Sequence, residues 1–126
     1  MQSTKKFKDA YKDTHTFEQR LEESRRIRAQ FPGRIPVVIE RALLSGNVAD
    51  IDKSKFLVPA SLTMGQLAFV VRKRLTLSPE HALFVFVGST LPPTCALLKE
   101  VYAQCADRDG FLYATYASEN TFGVHV

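Results

Sequence analysis

Residues 34–42 read RIPVVIERA, and this stretch decides how the rest of the chain is interpreted. Its apolar residues follow one another without the alternation of a half-exposed strand, and the run is too short for an amphipathic helix. A continuous β-branched run of this kind is typical of a strand that is buried on both faces. We therefore expect a sheet that carries this strand in its interior.

The two segments that follow predict the edge of that sheet and the helix that covers it. The stretch KSKFLVP, residues 53–59, is flanked by lysines and closed by a proline, which is the character of a strand at a sheet edge. The stretch TMGQLAFVVRKRL, residues 63–75, has apolar residues at helical spacing, and Thr63 and Gln66 stand at capping-box spacing at its start. It predicts an amphipathic helix with a basic last turn.

The C-terminal third predicts two more strands with a helix between them. The run ALFVFVG, residues 82–88, has the length of a strand, and residues 111–116 form an aromatic strand after a DRDG turn. Between them, LPPTCALLKEVYAQ predicts a helix that begins after its double proline. The order β, β, α, β, α, β is that of an α+β ubiquitin-like β-grasp, with a four-stranded mixed sheet on one long helix.

Two helices precede the sheet. Residues 17–31 carry a helical apolar stripe behind a Thr16–Gln19 capping box, and Pro32 and the following glycine end it. Residues 3–13 predict a shorter helix with an apolar stripe on a basic background. We expect a single domain with three parts: helices in residues 1–32, a β-grasp core in residues 33–117, and a C-terminal tail in residues 118–126.

Composition argues against several classes of protein. No apolar run is long enough to cross a bilayer or to serve as a secretory signal, so a cytosolic location is expected. Cys95 and Cys105 stand in no metal or disulfide pattern, and a structural or exposed thiol is expected at both. The histidines have no carboxylate or thiol at catalytic spacing, and there is no phosphate-binding loop. Neither an enzyme nor a cofactor or metal site is indicated.

The positive charge is concentrated at the N-terminus. Residues 1–34 hold nine Lys and Arg against five acids, an excess of four that equals the net charge of +4 of the whole chain. Such a segment is either a solvated face or a contact for acidic surfaces, which leaves a cytoskeletal or trafficking adaptor that binds tubulin as an alternative function. Nucleic acid is not expected as a partner, because no strand interleaves aromatic and basic residues.

The chain ends ENTFGVHV, residues 119–126, with a glycine close to the end. A glycine carboxylate has no Cβ beside it, so it can enter a narrow enzyme channel, be adenylated, pass to a cysteine as a thioester and reach an amine. Val124–Val126 block the Gly123 carboxylate, so a protease would first have to remove them. The alternative is an ordinary flexible residue near a terminus.

Several motifs together carry a family resemblance. In order and spacing, FEQRLEESRRI, RIPVVIE, DIDKSKFLVP, LTMGQL, VRKRLTLSPEHALFVFV, TLPPT and DGFLYATYASENTFG resemble the autophagy ubiquitin-like modifiers of eukaryotes, the group that includes GABARAP. The resemblance implies a processing cysteine protease that cuts after Gly123, with Phe122 in its channel and Arg72 as a contact. It also implies E1-like, E2-like and E3-like enzymes that join Gly123 to phosphatidylethanolamine. Such a protein is cytoplasmic when unconjugated and lies on the autophagosome membrane when lipidated.

The resemblance further implies a groove for receptor peptides with an aromatic-x-x-aliphatic motif, which add as a strand to the sheet edge. By residue matching, the pocket for the aromatic residue is lined by Glu23, Ile27, Pro36, Val38, Lys55, Leu57 and Phe111. The pocket for the aliphatic residue is lined by Phe56, Val58, Pro59, Leu62, Leu67 and Val70. The acids of the peptide would meet Arg34, Lys53 and Lys55. The alternative for Ile27, Val38 and Leu67 is ordinary core packing.

Overall fold

A computed structural model describes residues 10–42, 48–78 and 80–118. Its elements are α1 (Tyr11–Thr14), α2 (Phe17–Gln30), β1 (Arg34–Arg41), β2 (Lys55–Pro59), α3 (Met64–Leu75), β3 (Leu83–Val87), α4 (Leu98–Cys105) and β4 (Leu112–Ser118). This order confirms the predicted α+β arrangement.

The strands form one mixed sheet. Its four strands run in the order β2-β1-β4-β3. β1 pairs with β2 in antiparallel and with β4 in parallel orientation, and β3 pairs with β4 in antiparallel orientation. The predicted interior strand is therefore central, and the predicted edge strand lies at an edge.

Alternation along β1 divides the apolar residues between two layers. Ile35, Val37 and Ile39 belong to the main core, together with buried residues of α3 such as Leu67. Val38 points to the other face of the sheet, where it forms a smaller cluster with residues of α1, α2 and β4. Because side chains alternate along a strand, a run that is apolar at every position is buried only if both faces are covered. The N-terminal helices provide the second cover.

Both predicted capping boxes form. The Gln19 backbone N–H donates to the Thr16 hydroxyl, and the Gln66 backbone N–H donates to the Thr63 hydroxyl, each over 3.1 Å. Both glutamine side chains accept a hydrogen bond from the backbone N–H of the N-cap residue in return. These local bonds satisfy donors that a helix leaves unpaired in its first turn, and they set where α2 and α3 begin.

The helix α4 begins after the double proline, as predicted, and a contact with α3 sets its first residue. The backbone carbonyls of Thr94 and Ala96 accept hydrogen bonds from Gly65 and Met64, both over 2.9 Å, so residues 94–96 cap the start of α3. A helix that began at residue 94 would need these carbonyls to accept hydrogen bonds from N–H groups four residues later, but they accept from α3 instead. The first residue of α4 is therefore Leu98.

The structure describes the predicted C-terminal boundary of the core but only part of the first predicted helix. β4 continues to Ser118, which pairs with Leu83, so the sheet extends one residue beyond the predicted core. Of the first predicted helix, the structure describes only the part from residue 10 onward. Residues 1–9, with most of the lysines of the adaptor hypothesis, lie outside the described residues, and so do Phe122 and Gly123.

A buried polar cluster fixes α2 to the turn before β4. The Ser24 hydroxyl, with no exposed surface, donates to the backbone carbonyl of Asp109. The Asp109 carboxylate accepts hydrogen bonds from Arg20 and from the Tyr113 hydroxyl, both over 2.5 Å. Gly110 has a φ of +92° and packs directly against Ser24. The position of α2 on the sheet is thereby set by directional bonds as well as by apolar packing.

Candidate functional site

The outer edge of β2 directs backbone N–H groups away from the sheet. The Ile39 backbone N–H donates to the Ser54 carbonyl over 2.7 Å, and Phe56 lies opposite Val37 in the same register. Hydrogen-bonded and non-hydrogen-bonded pairs alternate in an antiparallel ladder, so the even-numbered residues of β2 direct their backbone groups to β1. The N–H groups of Lys55 and Leu57 consequently point away from the sheet.

Two prolines and one arginine shape this edge. Pro36 lies opposite Leu57, at a position of β1 whose backbone faces β4, and the pairing with β4 begins only at Val37. Its missing N–H therefore removes no hydrogen bond from the ladder with β2. The outward carbonyl of Leu57 accepts a hydrogen bond from Arg34 Nη1 over 3.4 Å. Pro59 ends the strand, so the open edge is short.

A cavity of about 150 Å³ lies between α2 and this edge. It is lined by Glu23, Ile27, Pro36, Lys53, Lys55, Phe56, Leu57 and Phe111. The helix contributes two side chains that stand four residues apart and so share one face. The opening combines apolar walls with charged groups. The apolar walls suit an aromatic side chain, and the charged groups suit polar groups of the same ligand.

Charge at the cavity is organised around Glu23. Lys55 Nζ donates to Glu23 Oε2 over 2.7 Å, and the Tyr11 hydroxyl donates to the other carboxylate oxygen. Burial of Glu23 opposes its ionisation, but the hydrogen bonds from Lys55 and Tyr11 outweigh burial and lower the pKa of the carboxyl group. Lys53 also lines the cavity, and its Nζ lies 5.3 Å from the centroid of the Phe56 ring.

The structure brings together nearly all residues that were predicted for the aromatic pocket. Six of the seven line the cavity: Glu23, Ile27, Pro36, Lys55, Leu57 and Phe111. Val38 is 0% exposed and packs behind the wall in one cluster with Phe111. Val38 therefore lies where ordinary core packing would place it, and it does not line the cavity.

The residues that were predicted for the aliphatic pocket lie at and inside the main core. Phe56, Val58 and Leu67 are buried there, and Leu67 is 0% exposed. Leu62 and Val70 are partly buried and pack against the same core, and Pro59 is half-buried. At this pocket, Pro59, Leu62 and Val70 are the residues nearer the surface, and Val58 and Leu67 are packed beneath them.

Of the three basic residues that were predicted to meet the acids of the peptide, Arg34 lies apart from the other two. Lys53 lines the cavity, whereas Arg34 is opposite Pro59 at the far end of β2. Only Lys53 and Lys55 of the predicted acid-binding group are therefore at the cavity. Arg72 is in the last turn of α3, where its Nη1 donates to the Ser78 carbonyl over 3.0 Å.

Sequence reasoning missed one residue that lines the cavity and one that contacts its lining from behind. Phe56 was predicted for the aliphatic pocket, yet it lines the first cavity as well. Tyr11 was placed only on the apolar stripe of a short helix, whereas its hydroxyl contacts Glu23 directly. The stripe marks Tyr11 as buried, but no local pattern indicates a partner twelve residues further along the chain.

A larger cavity, of about 380 Å³, lies between α3, β3 and residues 91–94. It contains none of the predicted site residues and borders the opposite edge of the sheet. The thiols of Cys95 and Cys105 are free and exposed. Within the described ranges we find no cluster of metal-ligating side chains and no helix that could span a membrane.

Comparison with known proteins decides the family. A family model described as "Autophagy protein Atg8 ubiquitin like" matches residues 19–123. The chain belongs to the Atg8 family. It is 55% identical over 117 residues to Autophagy-related protein 8B of Oryza sativa subsp. indica, a match that covers 93% of this chain and 98% of the rice protein. It is also 55% identical over 113 residues to Autophagy-related protein 8 of Emericella nidulans, covering 90% of this chain and 95% of the fungal protein.

A solved structure supports the same conclusion. The crystal structure of Trypanosoma brucei ATG8 superposes with a TM-score of 0.83 at 41% sequence identity, covering 89% of this chain and 97% of that chain. The predicted ubiquitin-like β-grasp is thereby confirmed. Atg8 family proteins are ubiquitin-like modifiers that act in autophagy, and they are not enzymes.

Proposed function

We propose that this Atg8 family member is cleaved after Gly123 and conjugated through that residue to phosphatidylethanolamine on autophagosomal membranes. There it displays the β2 edge to receptor peptides with an aromatic-x-x-aliphatic motif. The observation that carries the proposal is the open edge of β2 beside a cavity of about 150 Å³. A peptide that adds as a strand needs both features at once, because the backbone bonds give affinity and the pocket gives specificity.

The described residues support specific roles in peptide binding. The outward N–H groups of Lys55 and Leu57 are the donors for the backbone of an added strand. The cavity between Ile27 and Phe111 receives the aromatic side chain. Lys53 stands at the cavity as a partner for acids that flank the motif.

The conjugation half of the proposal is supported by the family match, which extends to residue 123. Removal of the last three residues by a cysteine protease, with Arg72 as its contact, frees the Gly123 carboxylate for the E1-like, E2-like and E3-like enzymes. The absence of a Cβ at this position allows the tail to enter narrow enzyme channels. The protein is then cytoplasmic before conjugation and membrane-bound afterwards.

One pair of substitutions tests strand addition at the edge. Leu57→Pro removes an N–H that points away from β1, so the ladder between β1 and β2 remains and only the added strand loses a donor. Leu57→Ala is the matched control, since it changes the same side chain and keeps the N–H. With a synthetic Asp-Glu-Trp-Ala-Ala-Leu peptide in calorimetric titrations, we expect Leu57→Pro to bind about 2- to 12-fold more weakly than Leu57→Ala. Equal affinities of the two variants would argue against strand addition at this edge.

The intact mass of the protein recovered from the cytosol and from the membranes of eukaryotic cells tests the conjugation half. We expect the parent to lose Val-His-Val and to yield a form with attached phosphatidylethanolamine, and Gly123→Ala to keep its tail. If both proteins keep the tail, the proposed cleavage and conjugation are wrong, whatever the peptide titrations show.

A further inference from the structure

We infer that Tyr11 is a positioning residue for the groove, and that docking of α1 onto the body is coupled through Tyr11 to the affinity for peptides. The inference deepens the proposed peptide binding and rests on it. Tyr11 does not line the cavity. The inference therefore assigns to α1 an indirect effect on the site.

Tyr11 contacts the charged wall of the cavity from behind. Its side chain is 5% exposed, and its hydroxyl donates to one oxygen of Glu23. The other oxygen of Glu23 accepts from Lys55, whose Nζ lies 5.0 Å from the centroid of the Tyr11 ring. The three side chains therefore hold one another, and removal of Tyr11 frees rotamers of both cavity residues.

Tyr11 also supports the apolar wall. Its ring meets the ring of Phe111 edge to face, with the centroids 5.3 Å apart and the planes at 74°. Phe111 is buried and lines the cavity. An aromatic pair in this geometry has a preferred arrangement, so it orients the ring that a ligand would touch.

The position of α1 in turn depends on this tyrosine. α1 has four residues, too few to form a helix without tertiary contacts. The Tyr11 backbone N–H donates to Glu40 Oε2 over 2.7 Å, which ties the start of α1 to β1. Lys12 adds an ion pair with Asp107 over 2.8 Å, but that pair is largely exposed and contributes little.

The direction of the coupling follows from these contacts. With α1 docked, Glu23, Lys55 and Phe111 already stand in the arrangement that receives an aromatic side chain. With α1 undocked, a peptide has to order these side chains when it binds, and the ordering lowers its affinity. Since coupling between two equilibria is reciprocal, a bound peptide must also stabilise the docked position of α1.

The test compares buried Tyr11 with half-buried Tyr113. Tyr11→Phe removes the hydroxyl at Glu23, and Tyr113→Phe is the matched control, because its hydroxyl is bound to Asp109 and it lines no part of this cavity. With the Asp-Glu-Trp-Ala-Ala-Leu peptide, we expect Tyr11→Phe to bind roughly threefold to tenfold more weakly than the parent, and Tyr113→Phe to bind as the parent does. Thermal unfolding of both variants shows whether they are folded and how similar their losses of stability are.

Hydrogen exchange of the backbone amides supplies a second measurement. If Tyr11 had only a structural role, a bound peptide would not change the exchange rate of its amide. We expect saturating peptide to slow exchange of the Tyr11 amide in the parent, and to slow it much less in a Glu23→Gln variant. Equal loss of affinity in both tyrosine variants, or a Tyr11 amide that the peptide leaves unchanged in a parent that binds it, would overturn the coupling alone. A parent that does not bind the peptide would overturn the proposed peptide binding and the coupling with it.

Discussion

Replacing Gly110 by alanine tests how α2 is held on the sheet. Gly110 has a φ of +92°, which side-chain-bearing residues rarely adopt, and an added Cβ would overlap the Ser24 hydroxyl and lie 3.0 Å from Ser24 Cβ. Ser24 has no exposed surface into which it could move. The substitution must therefore displace α2, the turn, or both.

The expected loss of stability is the sum of three costs, less one offsetting effect. The left-handed backbone costs alanine about 1–2 kcal/mol, and overpacking of a buried contact costs about 1–3 kcal/mol more. Loss of the hydrogen bond from Ser24 to the Asp109 carbonyl adds about 1 kcal/mol. The lower entropy of the unfolded alanine chain offsets about 0.4–1 kcal/mol. We expect a net loss of about 2–6 kcal/mol, which for a chain of 126 residues lowers Tm by at least roughly 6 °C.

Urea denaturation and thermal unfolding measure this loss, with Gly33→Ala as the control. A Cβ added at Gly33 would meet no heavy atom within 4 Å, so this substitution should change the free energy of unfolding by less than about 1 kcal/mol. The reasoning also predicts that Ser24→Gly, which removes the clashing side chain, makes Gly110→Ala less costly than in the parent. If Gly110→Ala costs no more than Gly33→Ala, the close approach of α2 does not determine stability and the argument is refuted.

Two further predictions concern charged groups. The pKa of Glu23 is lowered in the folded protein, so its stabilising contribution is present above the pKa of an unfolded glutamate and is lost as pH falls through the folded pKa. The difference in Tm between the parent and Glu23→Gln should therefore shrink as the pH falls from about 5 to about 3. A difference in Tm that stays constant over this range would contradict the prediction. Arg20→Met leaves the fully buried Asp109 side chain without its cation and should cost about 3–5 kcal/mol in urea denaturation, against about 0–1 kcal/mol for Lys12→Met at the exposed pair with Asp107. Similar costs for the two variants would show that burial of Asp109 is not decisive.

The elements of this chain could be predicted where the deciding interactions are local. The Thr16–Gln19 and Thr63–Gln66 capping boxes involve residues three positions apart, and both form as predicted. The interior strand follows from its own hydrophobicity. The double proline predicted only that α4 begins after it. The first residue, Leu98, depends on the carbonyls that cap α3, and that contact requires two elements to meet in space.

For the candidate site, residue matching predicted which side chains gather at the β2 edge but not how deep each one lies. Alternation along a strand places Leu57 and Phe56 on opposite faces of the sheet. Which residues pack over each face then decides that Leu57 borders the cavity and that Val38 has no exposed surface.

The amino-acid sequence by itself determined the class of fold, the order of the elements and the edge strand, because periodicity, caps and prolines act over a few residues. Only the tertiary structure decided the outward direction of the Lys55 and Leu57 N–H groups, since this follows from the register with β1. It also decided the contact of Tyr11 with Glu23 and the pairing of Arg20 with Asp109. These contacts join residues far apart in the chain, and only packing of the N-terminal helices on the sheet brings them within hydrogen-bonding distance.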